Sequence, residues 1–419
     1  MELTRRRFIQ SVLALGAFTI VPRRVLGGHG YTPPSDELTK AVVGVGGMGH
    51  WHLGNTGARL LAVCDVDEDH LKEGMEIGGP GVKGYKDFRE VLERKDIDII
   101  HIATPPHWHG LIAIAAAKAG KDIWCEKPMT RTIIEGEKLV EAVNTYGTMF
   151  RINTWWRFTS DHFYGSGASA REFRRVVNSG LLGWPLTVTI AAQTGFDWKF
   201  YWSGKTGLTP QWIPPQLDYD FWLGPAPYKP YHPHRVHANF RGYWDYDGGG
   251  LGDMGQHYLD GTQYLMGKDE ESPVEIEVDS APQHPEAAGS FRNIVIKYAD
   301  RCRIVLEADP DKKDIPFIEG PNGKLFKGFR CTIPHFKEKL AATPEPEPLI
   351  TDFATSVRTR KRFALNELNG HRSATLVNLA KIAWQLNRNI KFDPVTQRCK
   401  ADEAANRLID PPMRAPWHL

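Results

Sequence analysis

The feature that most constrains this chain is six residues long. Gly44-Val45-Gly46-Gly47-Met48-Gly49 follows directly on the apolar run Ala41-Val42-Val43. A G-x-G-x-x-G turn between strand and helix uses each glycine differently. The first permits the tight turn, the second lets a pyrophosphate approach the backbone, and the third lets the helix pack close. Gly44, Gly46, Gly47, Met48 and Gly49 are therefore expected against the phosphates of a dinucleotide. A second apolar run, Leu60–Cys64, ends at Asp65, 21 residues after Gly44. A carboxylate there accepts both hydroxyls of an adenosine ribose and repels a 2′-phosphate. The expected cofactor is NAD. A basic residue nearby would rescue NADP binding, so NADP stays open.

Such a turn implies a parallel sheet, and the pattern around it agrees. Strand-like runs 41–45, 60–64, 97–102, 122–125 and 149–152 alternate with helical candidates such as 110–119 and 134–145. Strands alternating with helices predict a doubly wound α/β domain over residues 39–151. From about residue 184 the runs 186–191, 274–278, 293–298 and 302–307 follow without regular helices between them, which predicts a second domain, 152–419, with an open and mostly antiparallel sheet. Leu376, Leu379, Ala380, Ala383 and Trp384 share one helical face, so 371–386 reads as a helix expected to pack back on the first domain. At 419 residues and 41% hydrophobic content the chain has material for two cores.

The first 28 residues read as an address. Thr4-Arg5-Arg6-Arg7-Phe8 precedes a short apolar run, Val12–Val21, too short for a confident membrane span. This resembles a twin-arginine export signal and predicts a periplasmic location, with residues 29–38 as a linker and no stable span in the mature form. A basic amphipathic helix is the other reading. Five arginines lie in that segment and the whole chain is only +2, so the body is nearly neutral and offers no electrostatic case for nucleic acid. Five cysteines, an odd number without a C-x-x-C, indicate neither a zinc knuckle nor a disulfide framework, although a Cys302–Cys331 bridge stays open.

Three further motifs stand in order: Ala103-Thr104-Pro105-Pro106-His107-Trp108-His109, Glu126-Lys127-Pro128, and Asp253 with His257. Together with the glycine turn they resemble the Gfo/Idh/MocA family of glucose–fructose oxidoreductases and inositol dehydrogenases, from about Lys40 onward. The resemblance implies a Rossmann domain followed by an α/β domain whose open sheet forms subunit interfaces, hence a dimer or tetramer. It also implies NAD(P)-dependent chemistry at a hydroxyl carbon of a sugar or polyol. Thr104, Pro105, His109, Glu126, Lys127 and Asn153 are then expected along the cofactor, with His107 beside the same pocket. Lys127, at a strand's carboxyl end, is expected to hold the reacting oxygen, with Glu126 setting its position. Asp253 and His257, four apart on a helix, project to one face. His257 is expected to take the proton and Asp253 to orient it. An ordinary solvated pair and a metal-ligand pair are the alternatives. With no third ligand at a diagnostic spacing, no metal is expected.

Residues 155–246 are dense in aromatics, from Trp155 and Trp156 through Trp198, Trp202, Trp212 and Trp222 to Tyr243 and Tyr246. Sugar C–H faces stack on such rings, so a sugar or glycoside is the expected partner, met by Trp155, Arg157, Tyr243, Lys127, Asp253 and His257. Loop packing or a subunit interface is the other use for these rings. Free NAD is scarce outside the cytoplasm, so export and NAD together predict a tightly bound cofactor regenerated within the cycle. Either one sugar is oxidised and another reduced, or a glycoside is oxidised, commonly at C3, and its aglycone eliminated. A non-catalytic, cofactor-stabilised sugar-binding protein is the alternative of another class.

Overall fold

A computed structural model describes residues 37–54, 57–154, 156–158 and 163–419. The export signal, most of the linker and Trp155 lie outside the described residues. From Thr39 the first domain builds six parallel strands: β1 Thr39–Val43, β2 Arg59–Cys64, β3 Lys83–Tyr85, β4 Ile99–Ile102, β5 Asp122–Cys125 and β6 Phe150–Ile152. Their order in the sheet is β3-β2-β1-β4-β5-β6. Strand order reverses between β1 and β4, and it is outside the carboxyl ends at such a point that open α/β sheets bind ligands. β1, β4 and β5 are buried along their whole length because helices cover both faces. The helix Ile133–Tyr146 starts on a capping box, Thr132 with Glu135, and stops at Gly147 in the left-handed region.

The second sheet has nine strands: β7 Thr187–Ile190, β8 Glu275–Asp279, β9 Asn293–Lys297, β10 Arg303–Glu307, β11 Ile318–Gly320, β12 Gly323–Phe326, β13 Arg330–Cys331, β14 Ile390–Asp393 and β15 Arg398–Cys399. The order is β13-β12-β11-β7-β10-β9-β8-β14-β15, and of these pairs β10–β7 is parallel and the rest antiparallel. Ile276, Ile294, Ile296, Ile304, Leu306, Val188 and Ile318 alternate toward one face and are fully buried there. Two helices, Gly249–Met266 and Glu367–Leu386, contribute to the same core. The architecture is thus α/β, a doubly wound parallel sheet followed by a mostly antiparallel one. All five cysteines are free thiols, so no Cys302–Cys331 bridge forms.

The helix Gly249–Met266 positions the site. It is buried nearly all round, yet it carries Asp253, Gln256, His257, Asp260 and Gln263 along one side. A polar stripe inside a protein must be matched group by group. Gln256 Oε1 accepts from Met129 N at 2.6 Å, and its amide donates to Gly370 O and Ser373 Oγ. Met129 lies just beyond Lys127-Pro128. The stripe therefore ties the end of β5 to the second domain and fixes Lys127 against Asp253.

Candidate active site

The cleft begins where β1 stops. Gly44 has φ +84°, and a Cβ there would lie 2.6 Å from Thr104 N, so the turn and the loop after β4 are in backbone contact. A Cβ on Gly49 would lie 2.1 Å from Gly44 O. Only glycine fits either position. Asp65 Oδ2 accepts from Val45 N at 2.8 Å and its Oδ1 from Asp67 N at 3.0 Å, which holds the carboxylate at the lip of the turn. A cavity of about 350 Å³ runs from there past Thr104 and Pro105 to Glu126, Lys127, Arg241 and Asp253. That is the size of a small-molecule site. Gly44, Gly46, Gly47, Met48, Asp65, Thr104 and Pro105 all face it. Thr104 Oγ1 is buried without a partner among the described residues. The glycine cradle and this open hydroxyl fit a dinucleotide.

At the far end two cations meet two carboxylates. Lys127 Nζ lies 3.0 Å from Asp253 Oδ2 and donates to Asp253 O at 3.1 Å. Arg241 Nε donates to Asp253 Oδ1 at 2.7 Å. Burial opposes ionisation of Asp253, but Lys127 and Arg241 outweigh it and draw its pKa down to about 2. Glu126 is buried behind Lys127. Its Oε1 meets His52 Nε2 at 2.9 Å and accepts from the Asn153 amide, and His52 Nδ1 lies 3.0 Å from His101 Nδ1. Burial again opposes, yet His52 and Lys127 keep Glu126 below the ordinary carboxylate range. His257, one turn beyond Asp253, is 5% exposed and edge-on to Trp156 at 4.8 Å. Burial, reinforced by Lys127, depresses its pKa to about 3, while Glu126 and Asp253 favour its charged form.

Several sequence expectations change here. His109 does not line the cavity. Its Nε2 lies 2.7 Å from Thr104 O and its Nδ1 2.7 Å from Pro128 O, so it braces the cofactor loop against the Lys127 turn. His107 turns the same way and meets Trp222 O at 3.0 Å. Asn153 supports Glu126 from below instead of facing the cleft. Arg157 is 2% exposed and is held by Asp260 at 2.7 Å and Asp269 at 2.6 Å. It is paired with one buried and one half-buried carboxylate and is not among the residues that line the cleft. Tyr243 is 1% exposed, its hydroxyl bonded to His234 Nδ1 at 2.8 Å, so it belongs to the core of the aromatic stretch. His257 stands off the cavity wall, beside Asp253.

Other residues line the cleft that were not expected there from the sequence: Asp67, His70, Phe88, Phe221 and His237, joined by Trp108 of the motif after β4 and Trp222 of the aromatic stretch. Ligand-type atoms of Asp67, His70 and His237 lie within 4.8 Å of one another across its mouth. His237 comes from the second domain, far along the chain, so no local spacing announces the group.

Comparison with known proteins matches residues 38–154 to the oxidoreductase family's NAD-binding Rossmann fold and residues 166–419 to its C-terminal α/β domain. An inositol 2-dehydrogenase of Salmonella paratyphi B is 27% identical over 157 residues, 36% of this chain and 44% of that protein. A glycosyl hydrolase family 109 protein of Shewanella pealeana is 29% identical over 169 residues, 34% of this chain and 37% of that protein. The matched segment thus spans less than half of either relative. In fold, the chain is similar to the WlbA dehydrogenase from Chromobactrium violaceum, solved with NADH and UDP-GlcNAcA, with a TM-score of 0.58 and 18% identity over 85% of this chain and 96% of that one. It is also similar to an aldose-aldose oxidoreductase from Caulobacter crescentus, with a TM-score of 0.54 and 18% identity over 85% of this chain and all of that one. Since the two family matches between them take in both domains, this chain belongs to the Gfo/Idh/MocA oxidoreductase family.

Proposed function

We propose that the protein is an oxidoreductase that moves a hydride between a secondary hydroxyl of a sugar or glycoside and a retained NAD. The observation that carries this is the Lys127–Asp253–Arg241 cluster, opening into the same cleft as the glycine turn and Asp65. Gly44, Gly46, Gly47, Asp65, Thr104 and Pro105 would hold NAD, which when bound supplies the hydride acceptor. Lys127 Nζ donates to the reacting oxygen and stabilises the negative charge that develops on it as its proton departs. Asp253 holds Lys127 and Arg241 at fixed distances, so that charge meets donors already in place. His257 is neutral throughout the physiological range, and on this reading bound substrate reaches past Asp253 to it and hands over the hydroxyl proton. A weak base suffices, because a hydroxyl becomes strongly acidic as its carbon loses a hydride, and Asp253 steadies the imidazolium that forms.

The likeness to a glycosyl hydrolase family 109 protein favours a second reading with the same residues. Oxidation at C3 acidifies the C2 proton, a base removes it, and the aglycone leaves. Product analysis separates the two readings: a keto sugar with no free aglycone supports simple transfer, and aglycone release supports cleavage. Three further expectations rest on sequence and join the proposal. The protein is exported by the twin-arginine route, it keeps its cofactor, and it is a homo-oligomer through the outer face of the nine-stranded sheet, where Val295 and Val305 are half-buried.

The test is reduction of bound NAD, read by absorbance, on mixing with free sugars and glucosides. Lys127→Ala is expected to lose at least about 3 kcal/mol of transition-state stabilisation, the scale of a lost charge-stabilising donor. Nucleotide content should be nearly unchanged. Unaltered reduction by that variant would remove Lys127 from the chemistry, and a parent protein whose bound NAD no sugar or glucoside reduces would leave the non-catalytic sugar-binding reading standing.

A further inference from the structure

The aromatic stretch makes a feature that neither the family match nor the catalytic cluster explains. Residues 216–218 cross the loop after β2 as a strand would. Leu217 forms an antiparallel bridge with Asp67, Glu68 N donates to Gln216 O at 3.0 Å, and Asp218 N donates to Val66 O at 3.0 Å. The short helix Tyr219–Leu223 follows and sets Phe221 and Trp222 into the cavity wall. In a Rossmann domain the ends of β2 and β3 face the adenosine half of the cofactor. The strap therefore covers the adenosine side, from the opposite domain.

Two residues near the chain's end pin the strap down. Arg414 Nε donates to Gly224 O at 2.9 Å, and its Nη2 donates to Asp220 O at 2.6 Å. Trp417 packs edge-on to Trp108 at 4.7 Å and against Phe221 at 5.5 Å. Trp108 Nε1 in turn donates to Trp222 O at 3.0 Å. Gly224 has φ +49°, and a Cβ there would lie 2.1 Å from the Trp108 ring, so at this point strap and Rossmann domain are in direct contact.

We infer that Arg414 and Trp417 are a latch, and that the latched strap makes the cofactor non-exchanging. This rests on the dinucleotide reading of the cleft and deepens it: it assigns to this chain the part that lets an exported enzyme keep its NAD. Arg414 and Trp417 face the strap, so they are positioning residues, acting through Phe221 and Trp222.

The experiment uses the purified full chain. Bound nucleotide is identified by mass after denaturation, and its exchange is followed against isotope-labelled NAD. The parent is expected to hold NAD through dialysis. Arg414→Ala and Trp417→Ala are expected to speed exchange by about tenfold or more, since altered retention shows mainly in the off-rate. Trp417→Phe, which keeps the ring contact, is expected to return exchange most of the way to the parent's rate. A purely structural role would lower the unfolding midpoint of all three without moving exchange. Folded alanine variants that both exchange at the parent's rate overturn the latch. A parent that carries no nucleotide and binds none overturns the dinucleotide reading itself, a result distinct from the first.

Discussion

Burial has inverted the ordinary roles of several side chains. His257 is the sharpest case. A free imidazole would be part charged near neutrality, but here burial beside Lys127 holds it neutral down to about pH 3. In the proposed mechanism it would accept a proton only when the substrate's hydroxyl has become acidic, which would tie proton uptake to hydride departure. His257→Ala is therefore expected to lose roughly 10²–10⁴ in rate, the range for a positioned general base, while bound nucleotide stays in place. The measurement is single-turnover reduction of bound NAD. A variant as fast as the parent would remove His257 from the proton path and leave Lys127 as the remaining candidate. Legibility at this scale was uneven, for a physical reason. Gly44, Asp65 and Lys127 are tied to the carboxyl ends of strands, so their spacing carries their position. Arg157 and Tyr243 have the chemistry of sugar-binding residues, but the partners that bury them, Asp260 and Asp269 for one and His234 for the other, sit on other segments. Composition sees the guanidinium and the phenol; it does not see what meets them.

Elements were easier to read than contacts. The pattern marked β1, β2, β4, β5 and β6 within a residue or two, because each contains apolar residues that the sheet buries. It passed over β3, Lys83-Gly84-Tyr85, which is three residues long and not fully buried. The helix Glu367–Leu386 starts four residues earlier than periodicity suggested, since Asn366 caps it through Leu368 and Asn369. It packs on the helix Ile133–Tyr146, and a Cβ on Gly136 would lie 2.3 Å from His371 Nδ1. Burial depresses the pKa of His371 to about 4 against 6.5 for a free imidazole. The sign follows directly: between these values the unfolded chain binds a proton that the folded one refuses. The neutral histidine is harmless above pH 6.5 and costs stability progressively as pH falls toward 4. From pH 7 to pH 5 this one residue is expected to remove about 2 kcal/mol. His371→Gln is expected to flatten that part of the profile, seen as a smaller drop in the urea midpoint between the two pH values. An unchanged slope would mean that the ring is protonated in the fold.

For the whole molecule the proposed export raises the question of how a dinucleotide enzyme would work where its cofactor is scarce. Three features bear on it from different levels. Arg5 and Arg6 ahead of a short apolar core propose a route that carries folded proteins. The strap and its latch propose a cofactor that stays through that passage. A hydride that leaves one hydroxyl and returns to another carbon proposes a cycle with no outside acceptor. Each needs the others: export without retention delivers an empty protein, and retention without internal return delivers one that turns over once. No helix among the described residues is long and apolar enough to cross a membrane. Replacing Arg5 and Arg6 by Lys keeps the charge and removes the pair, and is expected to shift the protein from the periplasmic to the cytoplasmic fraction with its nucleotide still bound. Fractionation that does not change would make the leader a basic amphipathic helix of another purpose. Periplasmic protein isolated without nucleotide would break the link between route and retention.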